Sequence, residues 1–130
     1  MHQLIFHPAW DKAIADQDRK HILQTYRNIR LTEKDPIQIT VLRHAFNYKE
    51  ELLVTSIVHN LTEEMYTPHH ETIIYRQDGQ DRAKSLFTIP DLIVNGKTST
   101  PWTFIFPKEA TIRPPLSSDP GCLWIETKKG

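Results

Sequence analysis

Two hydrophobic periods divide the chain. Between Asp16 and Leu31, Ile22, Tyr26 and Ile29 stand at i, i+4 and i+7 with Leu23 beside them, the spacing of one helix face. Asp16 suits an N-cap and Asp18 adds negative charge to the first turn, while Arg27 and Arg30 lie near the negative end of the helix dipole. The pattern predicts a helix over residues 16–31, with Lys20, Gln24, Arg27 and Asn28 on the polar faces and the apolar stripe against a core.

After Asp35-Pro36 the period falls to two. Ile37, Ile39 and Val41 alternate with Gln38 and Thr40, which predicts a strand buried on one side. Leu52 to Val58 is apolar on both faces, which predicts a central strand covered on each side, with the helix as the candidate second cover. Thr72–Tyr75 and Ala83–Phe87 flank Asp78-Gly79, a hairpin signal because the dipeptide readily takes positive φ. Asn95-Gly96 gives a similar turn signal before Trp102–Phe106, where Trp102, Phe104 and Phe106 share one face and Thr103 and Ile105 the other. A proline-rich segment, Arg113 to Gly121, precedes a short last strand at Leu123-Trp124-Ile125.

Six or seven short strands with turns between them, and one helix that comes first, define the expected fold class. It is mainly β, an immunoglobulin-like antiparallel β-sandwich with one N-terminal α-helix. The length of 130 residues fits one domain, with residues 1–35 as N-terminal segment and helix and 36–130 as sandwich.

Composition narrows the function classes. Sixteen Lys and Arg balance sixteen Asp and Glu, and the basic residues are scattered, so nucleic acid is not an expected partner. The lone Cys122 precludes an intrachain disulfide and favours a reducing compartment. The N-terminus has no basic n-region followed by an apolar run, and nowhere do about 18 apolar residues run together. A soluble cytoplasmic protein without membrane insertion is therefore expected. On that reading the sequon Asn60-Leu61-Thr62 is a coincidence of strand-end residues.

Motifs for chemistry fail in turn. Gly96-Lys97-Thr98 mimics the end of a phosphate-binding loop, but Asp91 stands where its first glycine should be, so it reads as a turn. The seven histidines, His2, His7, His21, His44, His59, His69 and His70, lack zinc-site spacing, and in a strand the rings of His69 and His70 would point to opposite faces. Cys122 reads as a small buried hydrophobe, and no nucleophile elbow surrounds Ser56 or Ser85 for pairing with His59. Glu50-Glu51 and Glu63-Glu64 read as solvated turn residues. Trp102, Phe104 and Phe106 read as core, and Trp10 as packing for the N-terminal segment. The expectation is no catalytic residue, no metal and no cofactor, hence a protein that works by binding.

The segments Glu51–Asn60, Leu86–Leu92 and Ser99–Pro107, with Phe6-His7-Pro8-Ala9-Trp10-Asp11 before the helix, resemble the SLAP domain of Bacillus-type bacteria. Pro101-Trp102-Thr103-Phe104-Ile105-Phe106-Pro107 is the most specific part. The resemblance implies a cytoplasmic, nonenzymatic, chaperone-like accessory factor. Its partner would be a preprotein client or a Sec component, in an accessory Sec pathway whose second motor ATPase helps export surface-layer proteins. Larger relatives hold two such domains; here a homodimer could substitute. The competing expectations are an extracellular carbohydrate-binding module and an enzyme of unrecognised type.

Overall fold

The computed structural model describes residues 3–29, 31, 35–111 and 120–126. Its elements are β1 (Gln3–Leu4), α1 (Pro8–Ala13), α2 (Asp16–Asn28), β2 (Ile37–Phe46), β3 (Leu52–Asn60), β4 (Glu71–Gln77), β5 (Gln80–Phe87), β6 (Thr98–Phe106), a 3-10 turn at Lys108–Ala110 and β7 (Cys122–Glu126). Two sheets form, ordered β1-β6-β3-β2 and β5-β4-β7. The β-sandwich expected from the sequence is confirmed, with the helices packed on the outer face of the first sheet.

The helical region departs from expectation in three ways. A six-residue helix, α1, precedes the expected one, started by Pro8 at its first position and by the His7 ring, whose Nδ1 accepts from the Ala9 amide at 3.0 Å. Six residues are too few to show a helical period, which is why the pattern missed it. Asp16 is the first helical residue and not the cap; Ala15 caps α2 with no side-chain hydrogen bond. The helix ends at Asn28, and Arg30 lies outside the described residues. Ile22 is buried against Ile57 and Leu42, with Leu4, Phe6, Trp10, Tyr26 and Ile29 around it, so Trp10 packs as expected.

Strand β3 lies between β2 and β6 and fixes which residues face which layer. Leu52, Val54 and Val58 point to the second sheet and meet Phe106, Phe104 and Thr100 in register; Thr55, Ile57 and His59 point to the helices. Between the sheets Phe87 touches Phe104 and Phe106 edge to face, with centroids 5.5 and 5.1 Å apart. Trp102 shares that face but is half-buried at the strand's outer edge, against the His7 ring at 5.6 Å. Strand β2 runs to Phe46, five residues past the expected end, because a register shift between Val41 and Arg43 turns Leu42 toward the helices and reverses the alternation. The pairing of β1 with β6 is parallel, which corrects the purely antiparallel expectation.

The two turn signals act by different mechanisms. Asp78 and Gly79 take φ of 51° and 74°, the type I′ geometry that matches the twist of the β4–β5 hairpin. At the second turn Lys97, not the glycine, has positive φ, at 59°. A Cβ on Gly96 would instead strike the backbone carbonyl of Glu63, so this glycine admits a close chain crossing.

A polar tie joins the sheets at Tyr75, which is fully buried on β4. Its hydroxyl lies 2.8 Å from His44 Nδ1 on β2 and accepts from the Gly121 amide at 2.9 Å. Burial holds the His44 imidazole below the ordinary histidine value and pushes the Tyr75 phenol up. In the neutral form Nδ1 can accept from or donate to the phenol, according to the tautomer; an imidazolium has no acceptor to offer.

Gly96→Ala is expected to destabilise the fold by about 2 kcal/mol, because the new methyl meets backbone and not a flexible side chain. Urea unfolding should show a lower midpoint at unchanged slope. Because the folded-state pKa of His44 is depressed, the unfolded chain binds more protons, so stability should fall as pH drops below about 6.5 toward the folded-state value. That part of the pH dependence should vanish in His44→Gln, as thermal melts across the range would show.

Candidate functional site

The expected site residues are not brought together. Among the described residues no three of His, Cys, Asp and Glu lie where they could hold one metal ion. His2 lies outside the described residues. His69 and His70 sit in a bend before β4, not in a strand, and their rings touch edge to face at 4.2 Å, which corrects the opposite-face expectation. Positive φ of 52° at His70, whose amide donates to Thr88 Oγ1, makes that approach geometrically open. Cys122 is exposed, against the expected burial, because β7 turns Leu123 and Ile125 inward and the alternate residues out.

Ser56 and His59 lie on opposite faces of β3. The Ser56 hydroxyl donates to the Trp102 carbonyl at 2.9 Å. His59 is fully buried under α2 between Ser99 Oγ, 2.6 Å from Nδ1, and Thr40 Oγ1, 2.9 Å from Nε2, with the Tyr26 ring stacked above it. Burial raises the Tyr26 phenol, while its hydrogen bond to Ser99 acts the other way. The sequence paired His59 with the wrong serine, since Ser99 stands 40 residues away and meets it only through the β3–β6 register. This cluster fastens α2 to the sheet.

The remaining motifs are structural. Lys97 Nζ donates to the Leu61 carbonyl at 2.7 Å and Thr98 Oγ1 to that of Asn95, so the phosphate-loop mimic is a turn. Asn60 is fully buried, with Nδ2 donating to the Glu64 and Val94 carbonyls and Oδ1 accepting from Thr62. An amide held in that way is inaccessible to glycosylation. Glu50 is exposed and pairs with Lys108.

What the fold leaves open is one side of the sandwich. Among the described residues no strand pairs with the outer edge of β2 or of β7, and these two edges neighbour each other. By contrast, β6 receives β1 at Thr98–Ser99, and β5 has a bridge from Ala83 to Thr111. Between β2 and β7 lies an open cleft of about 540 Å³. Its apolar lining comes from Ile37, Ile39, Leu123 and Ile125, the inward residues of two strands over which no described strand closes. Trp124 flanks it, 44% exposed, with the Arg76 guanidinium 4.6 Å from its ring centre.

One end of the cleft is acidic. Asp35 precedes β2 and Glu71 begins β4, and they are the charged groups among its described lining residues. Between them the Tyr66 hydroxyl is buried without a hydrogen-bond partner. Burial, and then the nearby Glu71 charge, push its phenol far above the ordinary tyrosine value. Such an orphan polar group carries a desolvation cost. Tyr66 was missed in the sequence reading; its position beside the period-two segments, held by the Tyr66–Val94 bridge, carries no local signal of a site.

Comparison with known proteins bears on the whole chain. No curated protein and no solved structure was matched. The family model described as the SLAP domain matches residues 4–119, which takes in α1, α2 and the strands β2 to β6. The match spans most of the 130 residues, and the chain therefore belongs to the SLAP domain family.

Proposed function

We propose that this chain is a nonenzymatic, cytoplasmic accessory factor that binds protein during export of surface-layer proteins through an accessory Sec pathway. The family match over residues 4–119 carries this reading, because the family takes its name from that association. Two structural features support the binding half of it. The adjacent edges of β2 and β7, unpaired among the described residues, offer backbone donors and acceptors to an extended chain, a mode that gives affinity with weak demands on sequence. The serine–imidazole contact that the fold forms, Ser99 Oγ to His59 Nδ1 at 2.6 Å, is fully buried beneath α2, where no substrate reaches it, and Cys122 stands on the other sheet. No described helix is long and apolar enough to cross a membrane.

A carbohydrate platform draws less support. The exposed rings of Tyr48 and Trp124 lie on different elements, and the Trp124 face carries the Arg76 guanidinium. A sugar stacking there would have to displace a cation.

Affinity capture with the tagged full chain, expressed in a host that carries the accessory pathway, is expected to recover the second Sec motor or surface-layer precursors. Deleting the gene should make those precursors accumulate inside the cell. Recovery of neither partner, with precursor export unchanged, would refute the proposal.

A further inference from the structure

The strand order identifies a place that is open among the described residues. With β2, β3 and β6 as strands A, B and E of an immunoglobulin-type sandwich, β5, β4 and β7 stand as C′, C and F. In that fold a further strand pairs with the free edge of F and covers the flank beside A. Among the described residues no strand holds that place, and the cleft between β2 and β7 occupies it.

We infer that this cleft accepts an extended segment of a client polypeptide, apolar at alternate positions and bearing a basic residue at one flank, which adds to β7 as the missing strand. The inference rests on the protein-binding reading above and names the segment that is bound. Two observations carry it. Ile37, Ile39, Leu123 and Ile125 line the trough from two inner faces, so an added strand would bury every second side chain against them and leave the others in water. Asp35 and Glu71 give one end of the trough negative charge that no described lining residue balances, which favours a cation there. A basic flank followed by an apolar stretch is the composition of an export signal. Strand β7 is five residues long, so a segment of comparable length suffices to cover the edge.

The test uses the full chain and a synthetic apolar peptide with lysines at one flank. Calorimetry should show stoichiometric binding, with methyl chemical shifts changing at Ile37, Ile39, Leu123 and Ile125 and with altered Trp124 fluorescence. Combining Asp35→Asn with Glu71→Gln should weaken binding about tenfold, as expected for two partly exposed charge pairs. Moving from lysine to glutamate in the peptide flank should abolish binding. Shifts confined to α2 or β5, affinity indifferent to charge, no binding at all, or a second copy of the chain filling the cleft would each overturn the inference. If Sec partners are captured while the peptide misses the cleft, only this inference falls; if the cleft binds the peptide but no Sec partner is captured, the pathway assignment falls and the cleft stands.

Discussion

The architecture depends on the double burial of β3. Its inner residues Leu52, Val54 and Val58 and its outer residues Ile57 and His59 are all removed from water, so the strand needs a layer on each side. The second sheet supplies one through Phe87, Tyr75 and Ile73. The helices supply the other through Ile22, Trp10 and Tyr26, held by the His59 cluster and by the surface pair Arg43–Asp18 at 3.6 Å. Burial of a large aliphatic side chain is worth roughly 1.5–3 kcal/mol, whereas an exposed ion pair adds well under 1. The apolar faces therefore set the layer order, and the charged pairs only trim it.

Polar groups inside this sandwich are handled unequally, and the inequality locates its interesting side. His59, Asn60 and Ser56 are each enclosed by named partners at hydrogen-bond distance. Tyr75 is likewise satisfied, by His44 on β2 and by the Gly121 amide just before β7. Tyr66 Oη and Arg82 Nε are the exceptions, buried without a partner among the described residues, and the first of them lies by the trough between β2 and β7.

Local sequence determined the elements whose signals are local. The Asp78-Gly79 hairpin follows from φ preferences of two residues, the aromatic face of β6 from simple alternation, and the burial of α2 from a three-residue stripe. The two-faced composition of β3 already demanded two covering layers. The family resemblance was readable too, because it rests on contiguous runs such as Pro101–Pro107.

Tertiary structure decided the rest, for reasons of register and distance. The bulge at Leu42 exists because one more residue turned toward Ile22, a contact across the sheet that no period within β2 encodes. Serine 99 became the partner of His59, and Cys122 became exposed, through pairings between strands far apart in the chain. The cleft, its orphan hydroxyl and its acidic end are assembled from β2, the β3–β4 connection, β4 and β7, each ordinary by itself. A sequence shows which residues seek burial; which edges stay unpaired depends on where every other strand has gone.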